Sequence, residues 1–310
     1  ILNTNSNKLI DLPHKDIDFL NIDTTRDTKL FLDPTKLFST KLDKIFQNAS
    51  LKVESFFQEA LRLYKSKQLD DLEELFNHSQ ECNQTHLGHS KGASRGTGAS
   101  KKMLMKFFEQ VVNSDSDSQK RLMSLTAMTI LSPRFAEDRS SDLLTNILKK
   151  EIIEYTLKQA KIHNIQIIED NKSFGYYWDD EELKWMKISS FYILGKDKKP
   201  LLLLPKQIIS KKYYFSVEKF VKIIILPIYR EKFAGQLGIY KNGNNKPISD
   251  KYLIQKLIRE AYESNKWKEF ANDELAKNPR LIINYYDREI NNLEFSVRQL
   301  SDDELDDLTK

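Results

Sequence analysis

The sequence predicts an α+β chain, predominantly helical, with an N-terminal β-hairpin and a small antiparallel β unit in the middle. Three observations lead there. Apolar residues recur at helical spacing in successive segments between Leu42 and Lys161, and again beyond Phe215. Between Ile165 and Leu204 the pattern becomes extended. Near the start, two short apolar stretches flank a polar turn.

Residues 17–22 and 29–32 are the two expected strands, around the turn 23–28. Asp18, Asp23, Asp27 and Asp33 lie in or beside this hairpin; carboxylates at strand ends suit a metal ion, but Asp is also a common turn residue, and the turn reading is preferred. Residues 42–67 form an amphipathic helix with Phe56, Ala60 and Leu63 in one stripe, followed by a second helix over 69–76. Helices over 103–112 and 122–131 are separated by the polar linker SDSDS, and their methionines (103, 105, 123, 128) read as core filler. Beyond Pro133 a strongly amphipathic helix is expected over 142–161. Ser140, Ser141 or Asp142 can cap its N-terminus, where acids favour the helix dipole.

Residues 165–168, 174–178, 184–194 and 200–204 read as strands, the last pair joined by GKDKK. Helical patterns return over 215–226, 251–262, 267–275 and 281–293, with a turn at 242–245. Two domains are expected: 1–163, the hairpin and helices with the glycine-rich loop 82–102, and 164–310, the β unit followed by a basic helical region.

The composition bounds the function. With 40% hydrophobic and 30% charged residues, the chain can bury a core and is not disordered overall. A net charge of +4 permits a nucleic-acid partner without requiring one. One cysteine excludes a disulfide framework and fits a reducing cytoplasm. No apolar run approaches the ~18 residues of a membrane span, so no membrane partner is expected. The N-terminus lacks the layout of a signal peptide. Both Ile1 and the closing acidic run SDDELDDLTK are compatible with cuts from a longer chain.

The stretch CNQTHLGHSKGASRGTGASKK, residues 82–102, holds four of the nine glycines, two of the five histidines and the only cysteine. Glycines allow close backbone approach, and a basic loop leading into a helix suits an anion or phosphate. The candidate anion contacts are His86, His89, Lys91, Arg95, Gly96 and Gly98. The spacing fits neither a Walker loop nor a dinucleotide fingerprint, and a surface loop that binds nothing is the competing reading. Cys82, His86 and His89 lack a fourth ligand at zinc spacing, so no metal site is assigned.

Between residues 196 and 232 stand ten Lys/Arg against three acids, with Tyr213, Tyr214 and Phe215 among them. Basic residues interleaved with aromatics suit a groove that tracks a nucleic-acid backbone, which makes Lys206, Lys211, Lys212, Tyr213 and Tyr214 candidates; a solvated lysine-rich surface is the alternative. Asp138, Arg139 and Asp142 form a charged cluster that can act on a phosphate ester with a metal, or simply serve a helix start. Asp170 with Glu182-Leu183-Lys184 matches the letters of a nuclease motif, but Glu182 sits in the charged turn WDDEELK instead of an apolar strand.

Four pieces in this order, DFLNID..RDTKLFLDP, HLGHSKGASRGTG, EDRSSDLLTNILKKEIIEYT and PLLLLPKQII, resemble a family of bacterial proteins found in genomic and defence islands. The likeness covers residues 16–209 and continues more weakly to about 251. Longer members carry a C-terminal restriction-endonuclease-like domain with an Asp…Glu-x-Lys active site. The resemblance therefore implies the N-terminal region of such a protein, with Mg2+ serving a nuclease function outside this chain. Ser140-Ser141 replaces the more usual Ser/Ile pair, and Thr85 replaces an acidic residue, which weakens a charged relay at His86.

The expected function is thus a cytoplasmic nucleic-acid-recognition or regulatory module of an antiviral DNA nuclease. DNA is the favoured partner, beside a homo-oligomer or a partner subunit of a defence system. The alternatives are a metal-dependent phosphoester-acting enzyme with its site between the glycine loop and Asp138–Asp142, and a non-catalytic scaffold.

Overall fold

A computed structural model describes residues 7–38, 42–78, 82–88, 101–133, 135–236, 248–263, 266–290 and 299–310. In chain order the elements begin with β1 (Phe31–Leu32), α1 (Ala49–Lys65), α2 (Leu69–Asn77), α3 (Lys101–Val112), α4 (Ser116–Leu122) and α5 (Leu125–Leu131). Then come α6 (Glu137–Ile147), α7 (Lys149–Ile162), β2 (Ile168–Asp179), β3 (Lys184–Leu194), β4 (Pro200–Leu201) and β5 (Ile209–Ser210). The remainder is α8 (Val217–Phe220), α9 (Leu226–Lys232), α10 (Asp250–Ile254), α11 (Lys266–Lys277), α12 (Arg280–Ile290) and α13 (Asp302–Leu308). The fold is α+β and mostly helical, with a three-stranded antiparallel sheet β2-β3-β4 in the middle and a two-stranded sheet β1-β5.

The chain divides into two units that interleave in sequence: Ile1–Lys101, Glu137–Tyr214 and Val297–Lys310 in one, Lys102–Ala136 and Phe215–Ser296 in the other. In the first unit the β2–β3 hairpin docks through two tryptophans. Trp178 and Trp185 face each other across the strands and pack against Phe56 of α1 at 5.2 and 5.7 Å between ring centroids. Their indole N–H groups donate to Ser55 Oγ and the Leu75 carbonyl, so neither ring buries an orphaned donor. The stripe Phe56, Ala60 and Leu63 is buried here. Leu201–Leu204 run buried through the same unit, their backbone groups bonding Gln84, Leu20 and Thr156.

In the second unit, Lys268 of α11 donates to the carbonyls of Thr129, Ser132 and Phe135, and Asn272 donates to that of Leu131. The bonds to Thr129 and Leu131 satisfy carbonyls that the end of α5 leaves open, and those to Ser132 and Phe135 hold the turn that follows it. A π-helical turn, Val221–Ile225, joins α8 to α9 just before Pro227, whose missing N–H interrupts the regular ladder.

Several local expectations change. The segments 17–22 and 29–32 do not pair with each other. Phe19 bridges Pro205, Leu20 N–H donates to the Leu204 carbonyl, and Phe31–Leu32 pairs with Ile209–Ser210. Asp23 and Asp33 turn the chain at each end of that stretch. Each Oδ1 accepts both the backbone N–H and the hydroxyl of the Thr two residues on, a local bond that favours a turn over strand pairing. The SDSDS linker is instead the start of α4, capped by Asp115. The helix expected over 142–161 begins at Glu137 and breaks at Leu148 into α6 and α7. Ser140, Ser141 and Asp142 therefore lie inside α6 instead of capping it, and Ser141 Oγ accepts the N–H of Leu32. Among the described residues, no helix is long and apolar enough to cross a membrane.

Candidate anion and nucleic-acid interface

The entry to the glycine loop is fixed by backbone bonds. Thr28 N–H donates to the His86 carbonyl and Gly88 N–H to the Thr28 carbonyl, a short parallel bridge. His86 is left-handed at φ 49°, and Gly88 follows at φ +116°. This turn sets the imidazole between two carboxylates, Nδ1 3.8 Å from Asp27 and Nε2 3.9 Å from Asp197. Asp197 sits in the β3–β4 turn, held there by the Lys199 N–H and by Lys196 N–H donating to Thr24.

Gly88 also lies against α6. A Cβ at this position would stand 2.8 Å from Asp138 Oδ1. Asp138 is exposed, while Arg139 and Asp142 are half-buried; Asp138 and Asp142, four residues apart, share a face of α6. The first turn of α6 thus meets the glycine loop where it starts. Its exit is tied at Lys101, whose N–H donates to Glu73 and whose ammonium pairs with Asp70. His89, Lys91, Arg95, Gly96 and Gly98 lie outside the described residues.

The basic segment reaches the same turn of α6. Tyr213 N–H donates to Glu137 Oε1 at 3.0 Å, and its hydroxyl donates to the Leu32 carbonyl at 2.6 Å. Burial, together with the nearby Asp33 carboxylate, pushes this phenol well above its ordinary pKa. Tyr213 is only 5% exposed, so its ring is a structural anchor and not the stacking platform the sequence suggested. Tyr214 is half-buried, and Lys211 and Lys212 are exposed beside this anchor.

Lys206 is also differently placed from expectation. Its ammonium donates to the His14 carbonyl at 2.6 Å and to Asp302 of α13 at 2.7 Å, leaving the side chain 12% exposed. His14 is fully buried. Its Nε2 accepts the Asn21 N–H, and its Nδ1 lies 2.6 Å from Asp306. Burial lowers the His14 pKa, against the opposing pull of Asp306. For Asp306, desolvation raises the pKa, but the hydrogen bonds from His14 hold it below its ordinary value.

The carboxylates around His86, and the acids of α13 over Lys206, were not legible in the sequence, because the partners come from segments up to about three hundred residues apart. Glu182 and Lys184 pair with each other at the exposed hairpin tip. Cys82 is buried, its thiol directed to Gln84. Among the described residues, no group of three or more His, Cys, Asp or Glu is arranged to hold a metal ion.

No curated protein and no solved structure matches the chain. One family model does: a domain of unknown function, DUF8370, matches residues 10–216. That span takes in His14, the entry to the glycine loop, α6 and the Lys211–Tyr213 segment, and on it the chain belongs to the DUF8370 family.

Proposed function

We propose that this chain is the nucleic-acid-recognition or regulatory module of a bacterial antiviral nuclease, working in the cytoplasm with DNA as its favoured partner. Cleavage, with its Mg2+, belongs on this reading to a separate restriction-endonuclease-like domain. One observation carries the reading: two features far apart in sequence converge on the first turn of α6. Gly88, at the mouth of the basic glycine loop, abuts Asp138, and Tyr213, next to the exposed Lys211 and Lys212, is bonded to Glu137. Lys91 and Arg95 in the loop sequence, and Lys211 and Lys212 next to Tyr213, supply charge for phosphates, and the loop glycines permit close backbone approach.

The Gly88–Asp138 contact also favours a second reading, in which Asp138 and Asp142 hold a metal against a phosphate ester seated in the loop.

Gel-shift titrations with single- and double-stranded DNA and RNA, across a salt series with and without Mg2+, test both. Salt-dependent binding without cleavage is expected, with Lys211→Ala/Lys212→Ala flattening the log–log salt slope by about one per lost phosphate contact. Lys91→Ala/Arg95→Ala should weaken binding too. If that variant binds like the wild type, the anion loop is wrong; no binding at low salt overturns the module as a whole. Cleavage with Mg2+ that disappears in Asp138→Asn selects the second reading.

A further inference from the structure

The acidic C-terminal run does not hang free. α13 carries Asp302, Asp303, Glu304, Asp306 and Asp307, and it lies over a set of cationic and donor groups drawn from separate segments. Asp302 accepts from Lys206, Asp306 faces His14 Nδ1, Thr309 Oγ1 accepts from Lys8 at 3.0 Å, and the Lys310 carbonyl accepts from Arg26. The surface beneath α13 is therefore already bound to an anion, one the chain supplies itself.

The donors of this surface are oriented in advance. His14 Nε2 is engaged by the Asn21 N–H, so the neutral ring carries its proton on Nδ1 and must donate there. Lys206 is held by the His14 carbonyl independently of Asp302. With the strap removed, the N–H of His14 and the Lys8 ammonium, 4.0 Å from Asp306, would face the place of Asp306, and the Lys206 ammonium would face that of Asp302, where phosphate oxygens can replace the two carboxylates.

The strap itself is weakly built. α13 has seven residues, far below the length at which an isolated helix holds in water, so it stays helical only while docked. Leu305 is its one buried residue, Thr309 is buried at its C-cap, and a Ser301/Glu304 capping box closes its N-terminus. Leaving the surface and melting are then one event.

We propose that Lys8, His14 and Lys206 form a phosphodiester-binding site, and that α13 is an acidic strap that masks it until a nucleic-acid backbone displaces it. The proposal rests on the nucleic-acid reading above and explains why Lys206, in the basic segment, is covered while Lys211 and Lys212 are exposed.

The test compares the full chain with Asp302→Asn/Asp306→Asn by oligonucleotide anisotropy over a salt series. It also follows amide exchange of residues 302–309 with and without the oligonucleotide or inorganic polyphosphate. The variant should bind the oligonucleotide on the order of tenfold tighter, with a salt slope steeper by about one to two, and Lys206→Ala in that background should abolish the gain. Either polyanion should strip exchange protection from 302–309 in the wild type. Equal affinities with retained protection in the complex overturn the strap and leave nucleic-acid binding to Lys211 and Lys212. If polyphosphate strips the protection while no oligonucleotide binds either protein, the masked anion site stands and the nucleic-acid reading falls. Protection that neither polyanion alters overturns the strap whatever else binds.

Discussion

At Gly88 the backbone holds φ +116°, a conformation that side chains rarely adopt, two residues after His86 takes the left-handed region at φ 49°. Keeping a histidine left-handed costs about 1–2 kcal/mol. Here it sets the ring between Asp27 and Asp197 and starts the glycine loop from the Thr28 bridge. Gly88→Ala should destabilise the protein by roughly 1–3 kcal/mol. The atom nearest the new methyl, Asp138 Oδ1, ends an exposed side chain that can swing away, so backbone conformation and not collision sets the cost. Urea denaturation of Gly88→Ala alone and with Asp138→Ala distinguishes the two: recovery of stability in the double variant would make the clash the cause. The richness of the stretch in glycine was visible in the sequence, and so was the charge of Asp138. Their contact was not, because fifty residues separate them and no periodic pattern links a loop glycine to one turn of a helix.

Among the elements, β3 is the most legible, and the hairpin it forms with β2 depends most on a few side chains. The bounds of β3, Lys184–Leu194, follow the sequence pattern, since an extended apolar–polar pattern is a local property. β2 runs continuously over Ile168–Asp179 where two shorter strands were expected; pairing with β3 carries it through residues whose own pattern is too polar to signal a strand. Removing Trp178, fully buried and bonded to Ser55, should cost roughly 3–5 kcal/mol. Phe191, 43% exposed on the same hairpin, should cost under about 0.5 kcal/mol when changed to Ala. Denaturation midpoints of the two variants check this, and similar losses at both positions would mean that the hairpin is not anchored by its tryptophans. At the other extreme, the start of α6 is not legible in the sequence, because Ser140 and Ser141 look like caps in isolation. Burial against β1, with Ser141 bonded to Leu32, carries them into the helix.

For the molecule as a whole, the decisive feature is that the second unit is assembled from Lys102–Ala136 and Phe215–Ser296. A fragment ending at residue 216, close to the limit of the family match, keeps α3, α4 and α5 but loses the elements that complete their unit. Phe108, Val111, Met128 and Leu131 are buried in the intact chain, and the open carbonyls at the end of α5 depend on Lys268 and Asn272. Such a fragment should bind the dye ANS strongly and melt with reduced cooperativity, as loosely packed states do. Cooperative melting without dye binding would show that residues 102–136 pack without their partners.

The sequence by itself determined what depends on neighbours along the chain: the α+β class, most helices, the central strands, the charge excess and the glycine-dense stretch. Period and composition are local quantities, and one chain displays them in full. Tertiary structure alone decided which segments meet. It paired Phe31–Leu32 with Ile209–Ser210, buried Tyr213 against Leu32 and Glu137, and laid the acids of α13 over His14 and Lys206. A lysine in a basic run looks the same whether it faces solvent or a carboxylate brought from ninety-six residues away. Only the packing that desolvates it, and the partner that packing delivers, tell the two apart.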